Sequence, residues 1–417
     1  MNKLAIVSSY SDSCGNAAFT KVLHDSIENA TGAEVDVLEL DLKLLQSSNP
    51  LIRKKADVHI AALAEQLREY DLVNIQLEAG LYGTMPGDII NRTKKLFQAN
   101  RNTTITFHSP RLMEATSAGT RAALKQIASF KIKSGLKELI GSKFKNVHIR
   151  INRAMLKNAI ANQARIIVHT NRAARQIEQL FDYGNVSVHP LKIVPTDFQP
   201  DTSVLQRVRE QLSLEATDKL VGMFGYISAY KGHTDALKAM RFLPKNYKLL
   251  IFGRQHPQTL KSDGKMDVYL NELITTVSKD KILKDRVFFM GELNDDDFLQ
   301  MAAGIDIAWL PYYENGQDGS GIASICLDAC RRTLCSSSFA FDELFKLIPY
   351  NNYLRFDIGN FLEMASKTEM LMRREPPVGG NVVSHYSLAT QAAVYIEEIA
   401  MVEQMPNQAA IKATQRT

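Results

Sequence analysis

Val221-Gly-Met-Phe-Gly-Tyr-Ile-Ser-Ala-Tyr-Lys-Gly-His233 is an apolar run that ends in Gly225 and passes through Lys231-Gly232 into a helical pattern. A strand that stops at a glycine and re-enters a helix in this way is the opening turn of a strand–helix–strand unit. Such a turn brings backbone N–H groups and a cation to one point, which suits a diphosphate. Two more strand ends of the same build follow, Tyr247-Lys-Leu-Leu-Ile-Phe-Gly253 and Val287-Phe-Phe-Met-Gly-Glu-Leu293.

Strand-like and helix-like runs alternate along the whole chain on both sides of this stretch, the pattern of parallel sheets covered by helices. Before residue 195 the expected strands are Leu4–Ser8, Val35–Leu40, Leu72–Leu77, Thr104–His108, Ile166–Thr170 and Val186–His189. Helices are expected at Ala17–Ala30, Ala56–Glu69, Asp88–Ala99 and Arg172–Phe181. The polar, proline-bearing stretch Pro195–Ser203 reads as a linker. Beyond it come strands at Leu220–Ile227, Lys248–Gly253, Val287–Gly291, Ile305–Leu310 and Leu334–Phe339, with helices at Thr234–Arg241, Met266–Thr276, Asp295–Ala303 and Ile322–Arg332. His385–Glu398 reads as an amphipathic closing helix. The expected division is therefore 1–195 and 196–384, two doubly wound Rossmann-like α/β domains, with a helix over 385–404. In such sheets ligands lie beyond the carboxyl ends of the strands, which makes a cleft between the domains the expected site.

A length of 417 residues agrees with two cores, and 45% hydrophobic with 23% charged residues is the balance of an ordinary globular protein. The opening MNKLAIVSSYSDS is too short an apolar run for a signal-peptide core or a membrane span, and no later stretch is long enough either. Cys14, Cys326, Cys330 and Cys335 read as reduced thiols of a cytoplasmic protein, and the spacing of the last three matches no common zinc pattern. Asp295-Asp-Asp297 follows Asn294 and precedes an apolar helix, where acids stabilise the positive helix end, so no required metal is expected. The net charge of +5 is concentrated. From Arg121 to Lys157 ten basic residues face the single acid Glu138, interleaved with apolar positions. This segment suits an anionic membrane surface, with a solvated basic face or nucleic-acid patch as the plain alternative; among partners no nucleic acid is expected.

The order of strand, glycine and Lys-Gly at Val221–His233 resembles the C-terminal domain of retaining GT-B glycosyltransferases of the family-4 kind. The resemblance spans about residues 1–400 and is strongest at 220–330. It implies that Gly225, Lys231, Gly253, Gly291 and Leu293 face the nucleotide sugar. Where the family often has an arginine after the strand glycine this chain has Tyr226, leaving Lys231 as the phosphate contact. Family members carry Glu, seven residues and Glu near the next helix. Placing Asp328-Ala329 on the second Glu-Ala puts Ser320 on the first glutamate. Ser320 can cap that helix with the N–H groups of Gly321 and Ile322 aimed at a phosphate, and Asp328 either holds the ribose hydroxyls or is a helix-surface acid. In the N-terminal half the resemblance places His108, at the end of Thr104-Ile-Thr-Phe-His108, beside the donor sugar. The loop Ser8–Gly15 and the segment Asn74–Tyr82 fall where acceptor contacts are common, which marks Gly15, Gln76, Glu78 and Tyr82. His169 and His189 also end apolar strands and read as packing or hinge residues.

The expected activity is transfer of a sugar from a UDP- or GDP-linked donor, with retention and without a cofactor. The expected acceptor is a polysaccharide, glycolipid or lipid-linked oligosaccharide at the inner membrane face. The rival readings are a nucleotide-sugar epimerase or a phosphorylase of the same architecture, or a non-catalytic partner of another transferase. Tyr226 and Ser320, where the family has charged residues, favour the last.

Overall fold

The computed structural model describes residues 3–11, 15–113, 132–195, 198–255, 266–314, 316–347, 353–375 and 386–396. Among these, the chain divides into two compact units. The first holds the residues through Leu191 with Gly316–Gly319 and 388–396; the second holds Lys192 to residue 314 and Ser320–Ser387.

The first unit is built on strands β1 (Lys3–Ser8), β2 (Glu34–Glu39), β3 (Leu72–Leu77), β4 (Thr103–Phe107), β5 (Arg165–Val168) and β6 (Val186–Val188). They form one parallel sheet in the order β2-β1-β3-β4-β5-β6, whose direction of winding reverses between β1 and β3. Alternation along β3 explains its two faces. Val73, Ile75 and Leu77 enter the apolar core, while Asn74 and Gln76 point the other way with Thr104 and Thr106 of β4. That polar stripe is buried, and residues 388–396 form a helix whose Tyr395 hydroxyl meets Thr106 Oγ1 at 3.0 Å.

The second unit carries β7 (Lys219–Phe224), β8 (Tyr247–Phe252), β9 (Val287–Gly291), β10 (Ile307–Leu310), β11 (Thr333–Ser336) and β12 (Tyr353–Phe356), again all parallel. The order β12-β11-β10-β7-β8-β9 places the reversal between β7 and β10, and ligands bind at such a switch point outside the strand ends. Trp309 of β10 is buried in this core with its indole N–H on Thr368 Oγ1 at 3.0 Å.

Several boundaries differ from the sequence expectation for local reasons. The strand expected over Leu220–Ile227 stops at Phe224, because Gly225 turns the chain with φ 87°. The strand expected over Leu334–Phe339 stops at Ser336, since the Ser338 side chain caps a short 3-10 turn over Phe339–Phe341. The expected helix Ile322–Arg332 ends at Ala329, and Ala56–Glu69 is preceded by helix from Pro50, capped by Asn49. Within the expected linker, Ser203 starts a helix to Gln211 anchored by Val204 and Val208. The edge strand β12 and the helix Phe361–Met372 behind it have no counterpart in the sequence reading. The run Asp295–Asp297 opens the helix Asp295–Gly304, with Asn294 Oδ1 accepting from the Asp297 N–H.

Cys14, the expected closing-helix residues after 396 and the first part of the basic segment Arg121–Lys157 lie outside the described residues. From residue 147 on, the helix Ile132–Ala161 buries Ile151, Met155, Leu156 and Ala159 and exposes Arg150, Arg153 and Lys157. Among the described residues no helix is long and apolar enough to cross a membrane.

Candidate active site

In the second unit the loops after β7, β8 and β10 converge at the switch point. Gly225 lacks the Cβ that would meet Lys231 Nζ at 2.5 Å and Ile322 Cγ1 at 3.1 Å. The absence of a side chain is what lets the ammonium and the helix residue approach the end of β7. Gly253 (φ 148°) packs its Cα against the Gly225 carbonyl, where a Cβ would overlap it, and its N–H reaches the Gly291 carbonyl at 2.6 Å. Thus Gly225, Gly253 and Gly291 form one continuous backbone surface across three neighbouring strands.

Lys231 ends the 3-10 turn Ala229–Lys231, and Gly232 (φ 73°) seats the loop against the Pro311 carbonyl at the end of β10. The lysine is 5% exposed. Its Nζ donates to the Phe224 carbonyl at 3.0 Å and lies 5.7 Å from the centroid of the Tyr312 ring, with no carboxylate paired to it among the described residues. Burial lowers its pKa to about 8. A buried ammonium with only a carbonyl and a ring for partners favours an anion beside it. The buried Tyr312 hydroxyl makes no hydrogen bond of ordinary length, although Ser320 is near enough to act on it.

Ser320 caps the helix Gly321–Ala329, its Oγ accepting from the Ala323 N–H at 3.2 Å. The N–H groups of Gly321 and Ile322, in the first turn, have no intrahelical acceptor, which gives this end its affinity for anions. Asp328 lies seven residues further along the helix from Gly321, about 10 Å away at 1.5 Å per residue. It is neither on the helix surface nor free: Lys192 Nζ holds its carboxylate at 2.8 Å, and the Tyr386 hydroxyl stands 3.4 Å away. Burial raises its pKa while Lys192 opposes the rise. This carboxylate is committed to an internal ion pair.

Tyr226 is half-buried beneath Arg254, whose guanidinium carbon lies 5.9 Å from the ring centroid and whose Nε pairs with Glu292 at 3.2 Å. Leu293 follows on the same loop, half-buried. Arg254 was missed in the sequence; the signal was a cation directly after the second strand glycine.

The first unit places His108 inside a hydrogen-bonded chain. His169 Nδ1 faces the His189 carbonyl at 2.9 Å and so carries the proton; its Nε2 then accepts from His108 Nδ1, also 2.9 Å away. His108 Nε2 is left to accept, and the Gln76 side-chain amide stands at 2.6 Å. Gln76 Oε1 is the atom placed there, and for the amide to present its NH2 group instead the Asn74 amide must turn with it, because Gln76 Nε2 meets Asn74 Oδ1 at 2.5 Å. Phe19 packs edge-on to the His108 ring at 5.3 Å. Burial pushes His108 well below the ordinary imidazole range and His169 to about 4, so both are neutral. His169, read as a packing residue, is thus the partner that sets the His108 tautomer. Tyr82 is fully buried and donates to the Gln76 carbonyl at 2.7 Å, so Gln76 and Tyr82 serve this framework. Gly15 is exposed at the start of the helix Gly15–Thr31, and a Cβ there would touch nothing within 4 Å. Glu78, at the end of β3, has its pKa raised by burial, with Arg111 and Ser109 opposing the rise. Arg111, Arg172 and Asp318 complete a charged group here that the sequence reading did not single out; Arg172 pairs with Asp318 at 2.6 Å.

Residues 206–330 match the family of glycosyl transferases group 1. The chain carries a glycosyltransferase group 1 domain. That domain spans β7 to β10 and the Ser320-capped helix, the elements that gather Lys231 and the three glycines. Solved structures extend the likeness to both units. HepE from Anabaena, in complex with UDP and glucose, aligns at 14% identity over 98% of this chain and 100% of its own, with a TM-score of 0.59. Sucrose-phosphate synthase from Thermosynechococcus elongatus aligns at 16% identity over 100% of each chain, also at 0.59. WaaG, a glycosyltransferase involved in lipopolysaccharide biosynthesis, aligns at 12% identity over 95% of each chain, with a TM-score of 0.54. No curated protein matches the chain by sequence. The fold is GT-B, and the group 1 domain makes the chain a glycosyltransferase.

Proposed function

We propose that this glycosyltransferase takes a nucleoside diphosphate sugar, UDP- or GDP-linked, on its second unit and transfers the sugar with retention to a glycan or lipid-linked acceptor. One observation carries the reading: Lys231, a buried cation with no carboxylate paired to it among the described residues, lies at the β7/β10 switch point beside Ile322, in the first turn of the Ser320-capped helix. A diphosphate leaving group gathers negative charge as the sugar carbon becomes oxocarbenium-like. Lys231 and the N–H groups of Gly321 and Ile322 supply fixed positive charge for it, the kind of contribution worth about 3–4 kcal/mol per donor. With that charge provided by the chain, no metal and no further cofactor are required. Gly225, Gly253, Gly291 and Leu293 give the backbone surface for the nucleoside, and Tyr226 with Arg254 borders it. His108, neutral and fixed by His169, positions groups on the first unit, where the acceptor is taken. The UDP bound by HepE and the lipopolysaccharide role of WaaG support a UDP-sugar and a membrane-associated glycan. The basic segment Arg121–Lys157 supports a cytoplasmic enzyme working at an anionic membrane face.

Calorimetry with UDP, GDP and their sugars tests the donor. Micromolar to millimolar binding of one of them is expected, and well-folded protein that binds none would overturn the reading. Lys231→Ala is expected to slow transfer roughly a hundredfold or more. NMR of the product decides the stereochemistry, the donor's anomeric configuration being expected, and flotation with anionic against neutral liposomes decides the membrane surface.

A further inference from the structure

The loop after β4 is clamped on both sides of Arg111. Asn152 Nδ2 donates to the carbonyls of Ser109 and Pro110 at 3.2 and 2.6 Å, and Arg153 Nε donates to that of Leu112 at 2.9 Å. Between the clamps Arg111 takes φ 41°, in the left-handed region that a side chain with a Cβ rarely adopts. Its backbone N–H serves the Asp318 carboxylate, which Arg172 holds from the other side. Its guanidinium stands near the Glu78 carboxyl, and its Nε is buried with no hydrogen-bond partner among the described residues. A strained backbone persists only where surrounding contacts impose it, and such positions cluster at ligand sites. A buried N–H of a cation left without an acceptor is a second unfavourable feature at the same residue. Both occur beyond the carboxyl ends of β3 and β4, the side of a parallel sheet that takes ligands. Asp318 is occupied by Arg172 and by the Arg111 backbone, and the Arg111 Nε is left without an acceptor among the described residues. A planar guanidinium presents paired donors matched to a carboxylate or a phosphate.

We propose that Arg111 is the docking group for an anionic substituent, a phosphate or a carboxylate, on the acceptor bound by the first unit. This rests on the reading of the chain as a transferase whose first unit takes the acceptor. The acceptor would then be a phosphorylated or uronic-acid-bearing glycan, and a neutral sugar would lack the anchoring contact.

The test follows the Arg111 Nε–H resonance of the full chain by NMR, assigned through its loss in Arg111→Lys, while inorganic phosphate, glucuronate or glucose is added. Movement with phosphate, with glucuronate or with both supports the proposal, and whichever acts at lower concentration names the substituent. Glucose is expected to leave the resonance in place. No movement with either anion overturns the proposal, as does anion-induced movement of the surrounding backbone amides that persists undiminished in Arg111→Gln. UDP binding is measured on the same proteins by calorimetry. Both variants are expected to bind UDP within twofold of the parent. A parent chain that fails to bind any nucleotide removes the transferase reading, whereas the Arg111 result is decided by its own resonance.

Discussion

Among the described residues Lys231 has no counter-ion, and that fact ties donor binding to pH. An unfolded chain would hold this proton up to the ordinary lysine value of 10.5, the folded one only to about 8. Between those values the unfolded state binds more protons, so stability rises as pH climbs through the window, and the full burial penalty applies below it. The difference corresponds to about 3 kcal/mol. Lys231→Met is expected to raise the urea midpoint at pH 7 and to remove the rise above pH 8. Nucleotide binding runs the other way, because a diphosphate favours the ammonium. Affinity for UDP should fall by up to about tenfold per unit above pH 8, with proton uptake visible by calorimetry in two buffers of different ionisation enthalpy. A pH-independent affinity between 7 and 9.5 would place the phosphates elsewhere. The histidine chain gives a stability signature of the same sign at acid pH. His169 stays neutral in the fold down to about 4, while an unfolded imidazole takes up its proton near 6.5. The unfolded state again binds more protons, so stability is lost as pH falls from 6.5 towards 4, and denaturation midpoints measured across that range should decline. His169→Ala should also weaken the fold by about 1–3 kcal/mol through the orphaned His108 Nδ1, without changing UDP affinity.

At the level of the elements, the glycines at the strand ends differ in what they permit. Gly225→Ala would place a methyl group in the left-handed region and against Lys231 Nζ and Ile322, so UDP affinity is expected to fall about tenfold or more. Gly15→Ala meets nothing within 4 Å and is expected to leave binding intact and to stabilise the helix by about 0.5 kcal/mol. Calorimetry on the two variants checks the contrast, and equal effects would contradict it. The same contrast shows what the sequence could reveal. Val221–His233 announces its strand, turn and helix through a local apolar run and a Lys-Gly pair, so this part of the site was legible. Ser320 was legible for a related reason, since a hydroxyl before an apolar helix is a local capping signal. The engagement of Asp328 was not, because Lys192 is 136 residues away and Tyr386 is 58. Nor was the histidine chain, whose members are paired by the register of three parallel strands. Tyr353-Leu-Arg-Phe356 escaped notice because an edge strand with a charge on it has neither the apolar run nor the clean alternation that marks buried strands. Arg111 was hidden by its dependence on Asn152, Arg153 and Asp318, none of them near it in sequence.

Among the described residues each unit holds an apolar core. Two calorimetric transitions are therefore expected on heating, and UDP should raise only the one belonging to the second unit. At a hundredfold excess over the dissociation constant the added stability is about 2.7 kcal/mol. A single transition, or a shift in both by the same amount, would show that the cores unfold as one. The first unit also draws on residues made at opposite ends of synthesis. Tyr395 covers the Thr106 hydroxyl from 289 positions downstream. At 5–20 residues per second the ribosome needs roughly 15–60 s to travel that distance. For that interval Thr106, in the row with Asn74, Gln76 and Thr104, lacks its Tyr395 partner, long after its strands can pair. The first core to be translated is thus the last to be finished. A chain released before residue 395 would leave the Thr106 hydroxyl without that partner, a local mark by which quality control could tell a truncated product from a completed one.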